Sequence, residues 1–304
     1  MLDRSQKFDP RQNMRSQTFE IFHYRHDILQ PVSVHHHDFY EIYFFLSGQV
    51  EYRVEGNIYL MQPGDLLFIS PLELHQPTSL VSSPYERIVL WIGKDYLERL
   101  SGSGGSLTRC FDHTQPGHKN LLRLTSAQRS AVTARFTELS QEVNSTRYGS
   151  QLWATGAFLQ LMVELNRIML DFPKNDENPV LPHQPPPLIS SILAYINEHC
   201  CENITLDDLA DRFYVSKYHL SHEFHQSVGT SLYRYIILKR LLQAKQMLAG
   251  GMSPGTVSHN CGFGDYANFY RAFRKEYGIS PRTYAAGGRC PPAPAGDSAF
   301  DMKA

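Results

Sequence analysis

Residues 204–229 read ITLDDLADRFYVSKYHLSHEFHQSVG, and residues 252–278 repeat their pattern as MSPGTVSHNCGFGDYANFYRAFRKEYG. Each copy has a helix with an apolar face, a tight turn, and a second helix whose outer face is polar. Leu209 corresponds to Val257 at an offset of 48 residues, and Phe224 corresponds to Phe273 at an offset of 49. The copies therefore differ by one residue in the turn, and the repeat predicts two tandem helix-turn-helix units.

The second helix of each unit carries the candidate DNA contacts. In the first unit, Ser216 is predicted to cap this helix and Gly229 to end it. Opposite the apolar face lie flat or short polar groups, which can reach base edges in a major groove. The predicted DNA-binding residues are Lys217, Tyr218, Ser221, His222 and Gln226 in the first unit, and Tyr266, Asn268, Tyr270, Arg271, Arg274 and Lys275 in the second.

Charge is distributed unevenly along the chain. The formal net charge is −1, but between residues 212 and 245 six basic residues accompany a single acid, Glu223, so six minus one leaves a local charge of +5. The basic residues are Arg212, Lys217, Arg234, Lys239, Arg240 and Lys245. We interpret this segment as a focused basic surface that neutralises phosphates, with an ordinary solvated helix face as the alternative.

Five blocks within residues 189–284 resemble the DNA-binding domain of AraC/XylS-family transcription regulators. They are Ile-Thr-Leu-x-x-Leu-Ala (204–210), Val-Ser-x-x-x-Leu (215–220), Arg-Leu-x-x-Ala-x-x-x-Leu (240–248), Gly-Phe-x-Asp-x-x-x-Phe-x-Arg-x-Phe (262–273) and Gly-Ile-Ser-Pro-x-x-Tyr (278–284). The resemblance implies that one chain inserts both second helices into successive major grooves of double-stranded DNA, about 34 Å apart. Ser258 departs from the family's usual small apolar residue, and His222 from its more frequent arginine.

Short β-rich runs separated by turn signals occupy residues 19–92 and predict an antiparallel barrel or sandwich. The pattern His35-x-His37-x-x-x-Glu41, followed by Gly48, resembles the first motif of a cupin barrel, and residues 63–75 resemble the second, with Leu72 near a usual glycine. Positions 35, 37 and 41 share parity, so an extended chain directs them to one side. The predicted effector-binding residues are His35, His37, Glu41, Tyr43, His75 and Trp91.

Three hypotheses stay open for these polar residues. The first is an effector site, in which the His and Glu side chains hydrogen-bond sugar hydroxyls and Tyr43 or Trp91 stacks on the ring. The second is a metal site formed by His35, His37, Glu41 and His75, which would make the chain a metal-dependent cupin enzyme fused to a DNA-binding domain. The third is a structural polar network. We favour the effector and expect no cofactor and no catalysis, because no catalytic arrangement of residues is recognisable.

The predicted fold class is α+β, with a cupin-like barrel and an all-α domain. The predicted boundaries are a flexible arm (1–18), the effector-binding barrel (19–110), a helical dimerisation segment (111–172), a Pro-rich linker (173–187), the double helix-turn-helix domain (188–286) and a disordered tail (287–304). The proline-rich segment favours an extended spacer, so we expect two separate domains.

Composition limits the compartment and the partners. No apolar run approaches the about 20 residues of a membrane span, and the N-terminus is charged, so we expect a cytoplasmic protein without a membrane partner. The five cysteines contain no C-x-x-C pair, which favours reduced thiols. The expected partners are double-stranded DNA, a small effector such as a carbohydrate or related metabolite, and a second copy in a homodimer. RNA polymerase is a further candidate partner.

Overall fold

The computed structural model describes residues 14–27, 32–71, 73–79, 83–102, 105–112, 119–171 and 183–287. Most of the predicted arm (1–13), most of the predicted linker (173–182) and the predicted tail from residue 288 onward lie outside the described residues. The described chain forms an antiparallel β unit with helices on one face, followed by an all-helical unit. The α+β prediction is therefore confirmed.

Two antiparallel sheets form the N-terminal unit. The strands are β1 (Phe19–His26), β2 (Tyr40–Ser47), β3 (Val50–Val54), β4 (Asn57–Leu60), β5 (Asp65–Ile69), β6 (His75–Ser79), β7 (Tyr85–Ile92) and β8 (Leu121–Arg123). One sheet has the order β1-β7-β2-β5-β8 and the other β4-β3-β6, and the two are not closed into a continuous barrel. The chain leaves the first sheet at Gly48, whose φ of 121° is a conformation that glycine adopts without steric cost.

Side chains of the larger sheet divide between two cores because their direction alternates along each strand. In β2, Ile42 and Phe44 belong to a core that includes helical residues, whereas Tyr43 and Phe45 belong to an aromatic core between the sheets. Helices α1 (Lys94–Leu100), α2 (Ser126–Val143) and α3 (Ser150–Asp171) follow in the chain, and α2 and α3 contribute to the first core. The second core is the interior in which an effector site was predicted.

The C-terminal unit contains the two predicted helix-turn-helix units. Its helices are α4 (Pro187–His199), α5 (Leu206–Arg212), α6 (Lys217–Val228), α7 (Leu232–Ala249), α8 (Pro254–Asn260), α9 (Tyr266–Tyr277) and α10 (Pro281–Ala285). The side chains of Ser216 and Asp265 cap α6 and α9 by accepting from a backbone N–H in the first turn. Gly229 and Gly278 end the same helices with φ of 81° and 72°. Helix α6 therefore begins and ends where the sequence predicts, and α9 has the equivalent cap and terminating glycine.

Helix α7 joins the two units by contributing to the core of each. Leu232 and Leu238 are buried with the residues of the first unit, and Leu241 and Leu248 with those of the second. Burial of one helix in two cores fixes the relative placement of α6 and α9.

The structure bears on the predicted reduced thiols and on the expected absence of a membrane span. Cys110, Cys200, Cys201 and Cys261 are free thiols, and Cys290 lies outside the described residues. No helix in the described ranges is long and apolar enough to cross a membrane.

Candidate DNA-binding surface and effector site

The predicted DNA-binding residues lie on the outer faces of α6 and α9. All of them are exposed except Tyr270, which is half-buried, while Leu220, Phe224, Phe269 and Phe273 on the opposite faces are fully buried. On α9, Arg271 Nη2 donates to Asn268 Oδ1 at 2.6 Å, so the two side chains form one polar group. The structure thus places these residues together on the outer faces of the two second helices. Their contacts with DNA stay a prediction.

Three cations of the predicted basic surface do not face solvent. Lys245 and Arg240 are 5% and 9% exposed, and the side chain of Lys239 is 14% exposed. Arg240 donates to the carbonyls of Cys200 and Glu202, at 2.7 Å each. The prediction of a focused basic surface that neutralises phosphates is therefore wrong for these three residues, because their side chains pair with oxygen atoms of the protein itself.

The remaining three cations of that segment are more exposed but also have intramolecular contacts. Lys217 forms an ion pair with Asp207, and Arg234 forms one with Glu276. Arg212 lies over the ring of Tyr195 at 4.3 Å. Ion pairs between exposed side chains are worth little, so Lys217 can exchange its acidic partner for a phosphate at low cost.

Four of the predicted effector residues meet in one cluster, in which His37, Glu41 and His75 are buried and His35 is half-buried. His37 Nε2 lies 2.8 Å from Glu41 Oε2, and His75 Nε2 lies 3.8 Å from the same oxygen. The ring centroids of His35 and His75 are 4.2 Å apart. Reciprocal backbone hydrogen bonds between His35 and His75, of 3.1 and 2.9 Å, join the two chain segments. The convergence predicted from parity is therefore present in the structure.

Tyr43 and Trp91 occupy the same interior but do not join the cluster. The Tyr43 ring packs on Tyr52 at 4.8 Å, and Trp91 packs on Phe39 at 4.9 Å. Among the described residues, no side chain or backbone group bonds the buried Tyr43 hydroxyl. A polar molecule between the sheets would satisfy this group, since leaving a buried hydroxyl unpaired costs stability.

Burial controls the protonation of the histidines in the cluster. Desolvation lowers the pKa of His35 to about 4, and it lowers the pKa of His75 well below its usual value, with further lowering from His35 and His37. These two rings are therefore neutral near pH 7. A neutral imidazole offers one donor and one acceptor nitrogen, so it can hydrogen-bond a hydroxyl or bind a cation.

Sequence reasoning missed Arg87, Tyr85 and Tyr52, which also line the interior. The Arg87 side chain is buried and lies over the ring of Tyr85 at 4.6 Å, and burial raises the pKa values of Tyr52 and Tyr85. Positions 85 and 87 alternate with Trp91 along β7, so their side chains lie on the same face of the strand as Trp91. This alternation could have identified them from the sequence. The interior therefore offers a cation and several hydroxyls in addition to the motif residues.

The N-terminal unit also contacts the helix-turn-helix unit directly. Glu55 accepts from the Tyr235 hydroxyl and from Lys239 Nζ, both at 2.7 Å. Asp38 Oδ2 lies 2.8 Å from Lys245 Nζ. Tyr235, Lys239 and Lys245 all belong to α7, so the acids of the N-terminal unit hold the helix that joins the two helix-turn-helix units.

A second contact reaches α9 itself. Tyr277 Oη lies 3.4 Å from His36 Nε2, and their rings are 5.8 Å apart at an interplanar angle of 73°. Lys245 Nζ lies 5.1 Å above the ring of the same tyrosine. The segment from His35 to Asp38 therefore lies between the buried His/Glu cluster and the second helix-turn-helix unit.

Comparison with known families matches both units. The model of an AraC-like ligand binding domain matches residues 20–162, and a helix-turn-helix domain model matches residues 209–287. The HTH-type transcriptional activator RhaS of Enterobacter sp. (strain 638) is 27% identical over 263 residues, covering 83% of this chain and 87% of that protein. The uncharacterized HTH-type transcriptional regulator YbfI of Bacillus subtilis (strain 168) is 26% identical over 265 residues, covering 87% and 89%.

Similar solved structures include the DNA-binding domain of AdpA in complex with a target DNA, at 29% identity, 33% coverage of this chain, 90% of that one and a TM-score of 0.32. The structure of ToxT from Vibrio cholerae covers 88% of this chain and 98% of its own, at 13% identity and a TM-score of 0.33. The family assignment rests on the two family models and the sequence relatives. The chain belongs to the AraC/XylS family of DNA-binding transcription regulators and carries an N-terminal ligand-binding domain.

Proposed function

We propose that a small molecule bound between the two sheets controls DNA binding through the contact between the domains. The observation that carries this proposal is the pairing of Glu55 and Asp38 with Lys239 and Lys245 on α7. A ligand that shifts these acids changes the position of the helix joining α6 to α9. Such control requires that the ligand bind the two arrangements with different affinities.

A hydroxylated metabolite, such as a carbohydrate, is the effector class that the interior suits. Carboxylate, imidazole and phenol groups can exchange hydrogen bonds with hydroxyls, while Trp91 and the tyrosine rings supply flat surfaces for a sugar ring. The buried guanidinium of Arg87 adds a partner for a carboxylate, so sugar acids belong to the same class of candidates.

A ligand panel tests the effector proposal. We expect a monosaccharide or sugar acid to raise the melting temperature of the full chain, since ligand binding to the native state stabilises it. The shift should be lost in Tyr43→Phe and kept in Tyr214→Phe, whose side chain is 95% exposed. Equal shifts in both variants would place the ligand elsewhere.

The outer faces of α6 and α9 are the proposed DNA contacts, with unequal contributions. The second unit presents three cations, Arg271, Arg274 and Lys275, whereas the first presents one, Lys217, together with His222 and neutral polar groups. We expect Arg271→Ala to weaken binding by about 1–3 kcal/mol and to relax sequence preference, with a smaller loss for His222→Ala. Gel-shift titrations across salt concentrations measure this, and equal losses at every salt concentration would contradict the asymmetry.

We further propose a homodimer that forms through the outer face of α3. Leu152 and Trp153 are 81% and 60% exposed, although Phe158 and Leu161 on the same helix are buried in the first core. Exposed apolar groups of this size are typical of interaction surfaces. Light scattering should show a dimer that Leu152→Glu converts to monomer and Gln151→Glu does not. A monomeric wild-type chain would exclude the proposal.

The named relatives are transcription regulators, and we propose no catalytic step for this chain. RNA polymerase stays a candidate partner, because an activator bound at a promoter can contact it. DNA protection and transcription assays on the bound site would test this contact.

A further inference from the structure

Three cysteines meet where the two helix-turn-helix units pack against each other. Cys200 belongs to the core of the first unit and Cys261 to the core of the second, and Cys201 packs against both. The Sγ atoms of Cys200 and Cys201 are 3.9 Å apart, and Cys261 Sγ lies 3.8 Å from Met247 Sδ. Sulfur atoms of both units therefore form one cluster at their junction.

The backbone segments that carry Cys201 and Cys261 are in contact. A Cβ atom on Gly262 would lie 2.4 Å from the carbonyl oxygen of Cys201, and the φ of Gly262 is 73°, so glycine is required here. Arg240 donates to the carbonyls of Cys200 and Glu202 and thereby holds the turn after α4. A disulfide forms without large backbone movement only between adjoining segments, with Cα atoms less than about 7 Å apart. The two cysteines lie on such segments.

The three thiols differ in exposure and in acidity. Cys200 and Cys261 are 4% and 0% exposed, whereas Cys201 is half-buried. Hydrogen bonds from the thiols of Cys200 and Cys261 lower the pKa of Cys201, and the Arg240 guanidinium lowers it further against the effect of burial. The same hydrogen bonds raise the pKa values of Cys200 and Cys261, which keep their protons. Cys201 is therefore the thiolate that solvent can reach.

We propose that Cys201 is a peroxide-reactive thiol and that Cys261 resolves its oxidation by forming a disulfide between the two helix-turn-helix units. The Cys201 thiolate attacks one oxygen of hydrogen peroxide, the O–O bond breaks, and a sulfenic acid and hydroxide are formed. The Cys261 sulfur then attacks the sulfenic sulfur, and the sulfenic oxygen leaves as water with the Cys261 proton. In sum, two thiols lose two electrons and two protons, and one hydrogen peroxide is reduced to two waters.

Cys261 is favoured as the resolving partner over the nearer neighbour in sequence. A bond between Cys200 and Cys201 would close a small ring that forces the intervening peptide away from its planar trans geometry. Cys261 follows Cys201 by 60 residues (261 minus 201), so a bond between them has no such constraint. Cys110 serves as an internal reference, because it is 0% exposed and burial raises the pKa of its thiol.

The cross-link acts on the arrangement of the two DNA-binding helices. Cys201 precedes α5 and α6, and Cys261 precedes α9. An S–S bond of about 2.05 Å is much shorter than a thiol contact such as the 3.9 Å between Cys200 and Cys201, so its formation draws the two segments together by roughly 2 Å. Hydrogen bonds to base edges tolerate only a few tenths of an ångström. We therefore expect the oxidised chain to bind DNA more weakly.

Peptide mapping of the full chain tests the bond. Reduced protein is treated with hydrogen peroxide at neutral pH, free thiols are blocked with N-ethylmaleimide, and tryptic peptides are analysed by mass spectrometry. We expect two of the five thiols to disappear and Cys201 to be linked to Cys261, reversibly with dithiothreitol. Fragment ions that separate residues 200 and 201 identify the bonded cysteine. A bond between Cys200 and Cys201 overturns the proposal, as does oxidation of Cys110 at the rate of Cys201.

Substitutions separate the two chemical steps. Cys201→Ser should slow thiol oxidation by about tenfold or more and abolish the cross-link, because it removes the thiolate. Cys261→Ser should leave a sulfenic acid on Cys201 that dimedone traps. Cys110→Ala is the matched control and should react as the wild-type chain does. An unchanged rate in a folded Cys201→Ser variant overturns the proposal. The wild-type peptide map needs no substitution, so it decides the matter if a variant folds poorly.

Gel shifts measure the consequence for DNA binding. The probe is a duplex that the reduced full chain selects from a random-sequence library. Oxidation should weaken its binding by about tenfold or more, as expected for the loss of one base contact, and dithiothreitol should restore it. Cys261→Ser should show no such loss. Complete formation of the bond with unchanged affinity overturns the effect on DNA binding. None of these measurements requires an effector, so a failure of the proposed effector control would leave their results unaffected.

Discussion

The Tyr235 hydroxyl provides a direct measure of the contact between the domains. It donates to Glu55 Oε2 at 2.7 Å across the interface, and burial followed by the Glu55 charge raises its pKa, so it stays protonated. Tyr235→Phe removes this oxygen and leaves the ring in the core of the first helix-turn-helix unit. Glu55→Ala removes the acceptor. The two changes together form a double-mutant cycle.

The size of the coupling follows from the burial of the two groups. A hydrogen bond to a charged group contributes about 1.5–3 kcal/mol, and leaving a charged acceptor unpaired adds to the cost. Tyr235 is fully buried and the Glu55 side chain is 20% exposed. Glu55 keeps Lys239 and the Leu74 N–H as partners when the hydroxyl is removed. We therefore expect a coupling energy near the lower limit, about 1.5 kcal/mol.

Urea unfolding of the full chain, followed by circular dichroism and by fluorescence, supplies the four free energies of the cycle. Tyr233→Phe is the matched control, because this tyrosine lies on the same helix and is 74% exposed. The changes in the free energy of unfolding caused by Glu55→Ala and by Tyr233→Phe should add within about 0.5 kcal/mol. A coupling below this value for Glu55 and Tyr235 would show that this hydrogen bond between the domains does not form in solution.

Four further substitutions test the helical unit. Arg240→Lys should destabilise the chain by about 2–4 kcal/mol, because lysine cannot reproduce the guanidinium fork that reaches two carbonyls. The salt dependence of DNA binding should not change. If the slope of the logarithm of the binding constant against the logarithm of the salt concentration fell by about one, Arg240 would contact a phosphate. Gly229→Ala should lower the free energy of unfolding by about 1–2 kcal/mol, because the residue has a φ of 81°. Gly255→Ala, which has open space around it, should raise the free energy of unfolding by about 0.5–1 kcal/mol. Thermal unfolding measures both changes. Thr205→Ala should cost about 1 kcal/mol because it removes the capping box with Asp208, and unchanged melting would contradict this role.

Local patterns in the sequence were sufficient for the helix-turn-helix units. The caps Ser216 and Asp265, the terminating Gly229 and Gly278, and the buried faces act over three or four residues, so they can be read without the fold. Parity along one extended segment likewise predicted that His35, His37 and Glu41 lie on one side. The antiparallel strands were predictable from their turns, but the turns left open whether the strands form a closed barrel or two open sheets, and the predicted barrel is not closed.

Tertiary structure alone decided what the charged residues of α7 do. Local composition predicted a basic surface at Lys239 and Lys245. Their acidic partners are remote in sequence, because Glu55 lies 184 residues before Lys239 and Asp38 lies 207 residues before Lys245. The contact of His36 with Tyr277 also depends on the folded chain. The sequence by itself determined the family and the elements, since periodicity and capping are local. Only the fold determined which charges face solvent, because desolvation and pairing depend on distances between atoms that are remote in sequence.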